Sequence, residues 1–429
     1  MTGVTLPAAW RAAFGSPRMA AALSTASVAC ALLAFTLRSL MGWPGLVGAV
    51  AALVVLCGMS LLARRESIEW SALMPVSLLV FLSWAAVSVV WSEYRGASVA
   101  GVAYLLAFTV LALHVALTRD LFQVIRIFGD VLRVVVGLSL AVEVLAGLLL
   151  DMPFGFLSVA GLLHEGGPIS GAVGNRNELG VVAVIAVATF VVEWRTRSVS
   201  AVRAIASVAA AVAVLVFTQS VIAAGVAVVA GVAAMVLVGI RRLPQERRQS
   251  WLFVALAGAG ATAGILWLMR GAVVASLNAT GELNARLGLW QQVWSLVPFN
   301  WVQGWGWVGQ WNVGVFPFAQ LSAGAGRPLD SAANTFLDVW FQLGVIGLGL
   351  IVVMMGVAFV RGWLLGARKR SVIFMWPAVV MSALVSASLA ESVLFTEFGW
   401  LIFVVCCVLV SQHLSWRTAF QRPLAQEPL

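Results

Sequence analysis

Apolar runs of bilayer length recur along almost the whole 429-residue chain. A helix needs about 20 predominantly apolar residues to cross the hydrocarbon core of a membrane. Runs of that kind occur at about 19–37, 45–63, 70–91, 98–118, 132–150, 178–193, 203–219, 221–239, 251–269, 334–358, 373–390 and 394–412. They must be helices, because an open sheet would leave backbone N–H and C=O groups unpaired in lipid. With 62% hydrophobic and 10% charged residues, too little polar side chain is present to cover a water-soluble core of this size. The expected fold is therefore an all-α polytopic membrane protein of about twelve transmembrane helices, with residues 1–429 forming a single integral membrane domain. The first run is too long for a signal-peptide core and is read as a retained span. The four cysteines, Cys30, Cys57, Cys406 and Cys407, all lie inside apolar runs and have neither zinc-ligand nor loop-disulfide spacing, so they read as small buried residues.

A formal charge of +9 invites a nucleic-acid reading, but the placement of the charge argues otherwise. If the N-terminus is cytoplasmic, the outer segments hold only Arg38, Arg95, Arg176, Arg270, Arg286 and Arg327 out of 26 basic residues. All the others fall in inner segments, which satisfies the positive-inside rule along the chain and puts both termini in the cytoplasm. The excess charge then records topology and contact with membrane lipids. No basic patch interleaved with aromatics supports nucleic-acid binding.

That sidedness leaves two substantial outer segments, 151–177 and 270–333. The second is the longest connection, lies between helices 9 and 10, and is expected to be an extracytoplasmic loop with short surface helices. Its tryptophans, Trp290, Trp294, Trp301, Trp305, Trp307 and Trp311, suit headgroups, sugar faces or an ordinary aromatic belt. Within "GELNARLGLWQQVW" (281–294), Leu283, Leu287, Trp290 and Trp294 recur at helical spacing, and Arg286 is placed to reach headgroups or grip a phosphate. "GAVGNRNELG" (171–180) sets Asn175, Arg176 and Asn177 before Glu178 at a helix entry, where the acid suits the positive helix end. "GWGWVG" (304–309) permits tight turning, and no Walker lysine follows it. Asp330, Asn334 and Asp338 open the tenth run, and Glu391 and Glu397 stand between the last two. Ionisable groups at such boundaries point to function.

Cations, amides, carboxylates and tryptophans on the outer face match the needs of glycosyl transfer from a lipid diphosphate. A guanidinium stabilises the departing diphosphate, and a carboxylate takes the proton of the attacking hydroxyl. On this reading Arg286, Glu391, Glu397 and Asp330 are the catalytic candidates. Asn175, Arg176, Asn177, Asn334, Arg327, Trp290 and Trp305 are the substrate-binding candidates. No metal cluster and no cofactor motif is visible.

Over residues 165–400 the chain resembles the O-antigen ligase and polymerase superfamily of bacterial envelope glycosyltransferases. The resemblance rests on Gly174-Asn175-Arg176-Asn177 with Leu179-Gly180, on Arg286-Leu287 with Trp290, and on Gly304-Trp305-Gly306. It continues through Asn334, Leu337, Gly344 and Gly347 to the Glu391 region. It implies a GT-C-like fold in the bacterial cytoplasmic (inner) membrane, an undecaprenyl-diphosphate-linked glycan donor, a glycan or lipid acceptor, and metal-independent, inverting chemistry in polysaccharide assembly. Two positions depart from the family pattern. Ala333 stands where members commonly carry His, and Val221 where ligases commonly carry Arg. Two alternatives stay open: a transporter or flippase for lipid-linked glycans, for which Glu143 is the main mid-span charge, and a non-catalytic relative working with other envelope-assembly proteins.

Overall fold

A computed structural model describes residues 8–66, 75–268, 280–312, 314–325 and 329–413. In chain order the helices are α1 (Ala8–Phe14), α2 (Pro17–Leu32), α3 (Ala34–Ala63), α4 (Val76–Val87), α5 (Arg95–Thr118), α6 (Leu121–Val144), α7 (Arg176–Arg195) and α8 (Ala201–Phe217). They continue with α9 (Val221–Arg242), α10 (Gln245–Leu268), α11 (Thr280–Leu296), α12 (Phe318–Ala325), α13 (Thr335–Arg368), α14 (Trp376–Ser388) and α15 (Glu397–His413). Among the described residues there is no strand, only an isolated bridge between Phe154 and Val159. Among the described residues six helices are long and apolar enough to cross a membrane: α3, α5, α6 with its extension to Leu149, α7, α9 and α13. The apolar helices Val76–Val90, Ala201–Phe217, Val372–Ser388 and Glu397–His413 are shorter.

Packing divides these helices into centre and periphery. In α15 every residue from Phe398 to Ser411 is buried, and α14 is buried over most of its length. A helix apolar on all sides and buried on all sides is a core helix. Around this pair pack α5, α7, α9 and α13. The outer helices instead expose large apolar side chains, such as Val55 and Leu62 on α3 and Val228 and Met235 on α9. Rows of that kind suit lipid, where an apolar surface has no reason to be hidden.

Two helices are broken at glycine. Gly42 (φ 70°, ψ 178°), two residues before Pro44, divides α3 at the boundary expected between the first two apolar runs. Gly344 (φ 69°, ψ −173°) divides α13. The second break frees carbonyls inside a span, where each must find another donor. The "GWGWVG" segment provides them. Trp305 N–H donates to Phe341 O at 3.0 Å, Gly306 N–H to Gln342 O at 2.8 Å, and the Trp84 indole to Leu343 O at 3.0 Å. In return Val345 N–H donates to Trp301 O at 2.9 Å. A Cβ on Gly344 would lie 1.9 Å from Val302 O, so the crossing admits only glycine.

Asp338 completes this arrangement. Its carboxylate is buried and accepts from the Trp311 indole at 2.7 Å and from Gln342 Nε2 at 2.9 Å. The side chain of Gln342 in turn accepts from Val308 and Gly309 N–H at 2.8 and 3.0 Å. The acid one turn into α13 therefore holds the loop onto the broken helix. Glu143, also buried, does similar work elsewhere: its Oε1 accepts from Ser170 and Gly171 N–H, both at 2.9 Å, and anchors the 151–175 segment.

The outer-loop tryptophans separate as well. Trp305, Trp307 and Trp311 are buried among Phe318, Phe341 and Phe395 and form a core under the loop. Trp294 and Trp301 are exposed. Of the face expected on α11, Leu287 and Trp294 point outward, while Leu289, Val293 and Leu296 form the buried side.

Candidate functional site

Three helices enter one end of the bundle with polar caps, because their first N–H groups have no partner in the preceding turn. Asn175 caps α7 by accepting from Asn177 N–H at 2.8 Å, and Ser220 caps α9 by accepting from Ala223 N–H at 3.1 Å. Asn334 caps α13, with Oδ1 accepting from Phe336 and Leu337 N–H at 3.0 and 3.1 Å. The turn after α14 arrives at the same place and is clamped there. Asn334 Nδ2 donates to Leu389 O at 2.8 Å, and Thr335 Oγ1 donates to Glu391 O at 3.1 Å.

Glu391 stands at the centre of this junction. Its Oε1 accepts from Arg286 Nη2 at 2.7 Å and from Asn177 Nδ2 at 2.6 Å, while Asn177 Oδ1 accepts from Ser220 Oγ at 2.7 Å. Arg286 also donates to the carbonyls of Ala333, at 3.4 Å, and Ala390. Both partners of the ion pair are mostly buried, at 15% and 13% side-chain exposure. Burial, as the largest effect, holds the Glu391 carboxyl above its usual range, although Arg286 and Asn177 both favour the charged form. Ala333 adopts a left-handed conformation (φ 49°) and brings its carbonyl, without an imidazole, to Arg286.

Beside the junction lies a small polar pocket of about 40 Å³, walled by Asn175, Glu178, Asp330, Ser331 and Glu391 among others. It adjoins a larger cavity of about 480 Å³, the two sharing Gly309, Gln310, Phe395 and Thr396. The larger cavity is mainly apolar and aromatic, with Trp43, Tyr104, Phe108, Trp307 and Trp400 in its walls. Glu397 enters it and accepts from the Tyr104 hydroxyl at 2.8 Å. Arg38 donates to Gln310 Oε1 at 3.2 Å and lies over the Trp43 ring at 5.0 Å. Glu178 is within electrostatic reach of Asp330, Glu391, Glu397 and Arg38.

The residues expected from the sequence thus divide. Asn175, Asp330 and Glu391 line one pocket, Asn177 and Arg286 bind Glu391, and Glu397 occupies the adjoining cavity. Asn334 shapes the rim through backbone contacts. Arg176 is half-buried in the first turn of α7 and does not line either space. Trp290 donates to Ala332 O at 2.9 Å, and Trp305 packs against Phe316 and Phe341, so both support the loop from behind. Arg327 lies outside the described residues.

Residues at the site that the sequence-based candidates did not include are Arg38, Tyr104, Glu178, Gln310 and Asp338, among others. Arg38 carried a signal, since it is one of the six cations that the sequence reading expects on the outer side, and Glu178 stands in the asparagine motif itself. Nothing in the sequence marks Tyr104 or Gln310. Among the described residues no group of three or more His, Cys, Asp or Glu has a metal-holding arrangement. No protein-family model and no curated protein sequence matches the chain.

Proposed function

We propose that this protein is an extracytoplasmic glycosyltransferase that ligates or polymerises polyprenyl-diphosphate-linked oligosaccharide in cell-envelope polysaccharide assembly. The observation that carries this reading is the contiguity of two unlike spaces at one end of the bundle. An aromatic cavity of about 480 Å³ runs into a polar pocket lined by carboxylates and an amide, with a buried Arg–Glu pair at its edge. An amphiphile with an isoprenoid tail and a phosphorylated sugar head has the same two-part chemistry. Most of the helices fall on the expected apolar runs, and we read them as twelve crossings in a GT-C-like arrangement with both termini on the cytoplasmic side of the inner membrane.

In the proposed reaction an acceptor hydroxyl attacks the anomeric carbon of the donor sugar. The new C–O bond forms as the bond to the diphosphate breaks, with inversion at that carbon. The hydroxyl proton passes to a carboxylate of the small pocket, and the diphosphate leaves as the polyprenyl-linked anion. We assign that anion to Arg286, which is bonded to Glu391 of the small pocket, and to Arg38, which is bonded to Gln310 of both spaces, although neither guanidinium itself lines a space. Glu391, itself held by Asn177 Nδ2, orients Arg286. The proton acceptor is drawn from Glu178 and Asp330, which line the pocket and have no ion-pair partner among the described residues. With Ala333 in place of an imidazole, a carboxylate must take that part.

Glu143, the main motive for the transporter reading, is engaged in part: its Oε1 accepts from two backbone N–H groups, while its buried Oε2 has no hydrogen-bond partner among the described residues. The test is transfer by purified protein in nanodiscs supplied with a polyprenyl-diphosphate oligosaccharide and an acceptor glycan. Activity lost in both Glu178→Gln and Asp330→Asn, with the fold retained, supports the mechanism. Undiminished transfer by both variants removes it, and lipid movement across sealed vesicles without glycan transfer would replace it with transport.

A further inference from the structure

The opposite end of the bundle holds a second large space that the proposed reaction does not use. A cavity of about 620 Å³ lies between the C-terminal halves of α7 and α9 and the start of α14. Its walls are aliphatic apart from Trp194 and Trp376, and its only charged lining groups are Arg195, Arg241 and Arg242. Among the described residues no carboxylate lines it. Several of its wall residues, Val191, Val212 and Val238, are also exposed on the outside of the bundle, so the space opens sideways between helices. The arginines sit in the last turns of α7 and α9, at the level where a span meets the headgroups.

The three guanidiniums are not equivalent. Arg241 donates to the carbonyls of Gly366, Ser371 and Arg370, which fixes the rim of the cavity to the α13–α14 connection. Arg195 and Arg242 are exposed and have no ion-pair partner among the described residues. An apolar space open to the bilayer, with unpaired cations only at its headgroup end, is complementary to one kind of molecule. We infer that this cavity is a binding site for an anionic phospholipid, with an acyl chain between α7 and α9 and its phosphate held by Arg195 and Arg242. The basic asymmetry of the sequence places the site in the cytoplasmic leaflet, where anionic headgroups face such arginines. The inference is independent of the chemistry at the other end.

Gly231 gives a direct way to close the space. It lines the cavity, and a Cβ built on it meets nothing within 4 Å, so a larger side chain there enters the void without displacing the helix. Native mass spectrometry of the full chain, titrated with phosphatidylglycerol or phosphatidylcholine of identical acyl chains, reads the site. The wild type should retain phosphatidylglycerol in preference to phosphatidylcholine. Arg195→Gln with Arg242→Gln should weaken phosphatidylglycerol retention by roughly 25-fold, about fivefold per guanidinium near the membrane surface. That double variant should leave phosphatidylcholine unaffected, and Gly231→Leu should reduce both lipids. Should Gly231→Leu fail to fold, Ala234→Leu on the same wall replaces it. Equal retention of the two lipids by the wild type, or unchanged phosphatidylglycerol retention in the arginine double variant, overturns the inference. So does a dimer that Gly231→Leu dissociates without any lipid having been retained.

Discussion

Removing Arg286 tests the geometry at the candidate site more sharply than any other single change. In Arg286→Ala the Glu391 carboxylate stays buried and keeps Asn177 Nδ2 as a side-chain donor. Breaking a buried ion pair in this way costs about 3–5 kcal/mol. Glu391 has an escape, because it can take up a proton. For a group that titrates near 4.3 when unfolded, neutralisation at pH 7 costs about 3.7 kcal/mol, which limits the loss from above. Burial already holds this carboxyl above its ordinary range, so the limit is lower still. The expected destabilisation at pH 7 is therefore about 2–3 kcal/mol. Its sign with pH follows from linkage. A carboxyl whose folded pKa exceeds its unfolded value favours the fold fully below the unfolded pKa and loses that contribution as pH rises through the folded one. Arg286→Ala should accordingly be closest to wild type near pH 5 and furthest from it near pH 8. Glu391→Gln behaves differently, since a guanidinium does not shed its proton in proteins and has no such escape. Arg286→Leu with Glu391→Leu should recover most of the lost stability, because an apolar pair needs no neutralisation. The assay is thermal unfolding in nanodiscs from pH 5 to 8, with glycan transfer measured alongside. Stability losses that simply add in the double variant, or an Arg286→Ala penalty flat with pH, would refute the coupling. Stability restored without transfer would assign Arg286 to chemistry as well as to the fold.

Gly344→Ala should cost at least 3 kcal/mol or prevent folding, since it combines a left-handed backbone with the Val302 carbonyl in the space of the new methyl; roughly 1 kcal/mol would be the mid-helix expectation for glycine in reverse. A melting temperature within a few degrees of wild type would count against the described crossing. Asn334→Ala removes a helix cap and the clamp on Leu389, so a loss of about 1–2 kcal/mol is expected by thermal unfolding, with Asn334→Asp retaining the cap but not the clamp. Ala100→Trp, on the wall of the 480 Å³ cavity, should raise the KM for a long-chain polyprenyl donor by tenfold or more and spare a short-chain analogue. Equal effects on both donors would separate that cavity from the lipid tail.

Some of the candidate site was readable in the sequence, and the reasons differ by residue. Asn175, Asn177 and Asn334 announce helix entries because a cap needs a short polar side chain immediately before an apolar run. Arg286 and Glu391 stood out because charges at span boundaries are costly. Their pairing across 105 residues was not legible, since only the approach of α11 to the turn after α14 brings them together. Asp338 plays a part that the sequence does not reveal: it lines the small pocket, and it also accepts from Trp311 and Gln342 and so holds the loop onto the broken helix. The tryptophans of the outer loop follow the same lesson, with Trp305, Trp307 and Trp311 turned inward against neighbouring aromatics.

By itself the sequence determined that this chain is helical and rich in apolar stretches of membrane-crossing character. Those properties depend on local composition and on the need to satisfy backbone groups within one segment. Only the tertiary structure decided that α14 and α15 form the centre, that the glycine-rich segment completes α13, and that an aromatic cavity opens beside the acids. Lipid tails are as apolar as leucine, so hydropathy cannot tell a surface that meets lipid from one that meets another helix. That distinction, and every polar pairing that follows from it, comes from the packing of residues far apart in the chain.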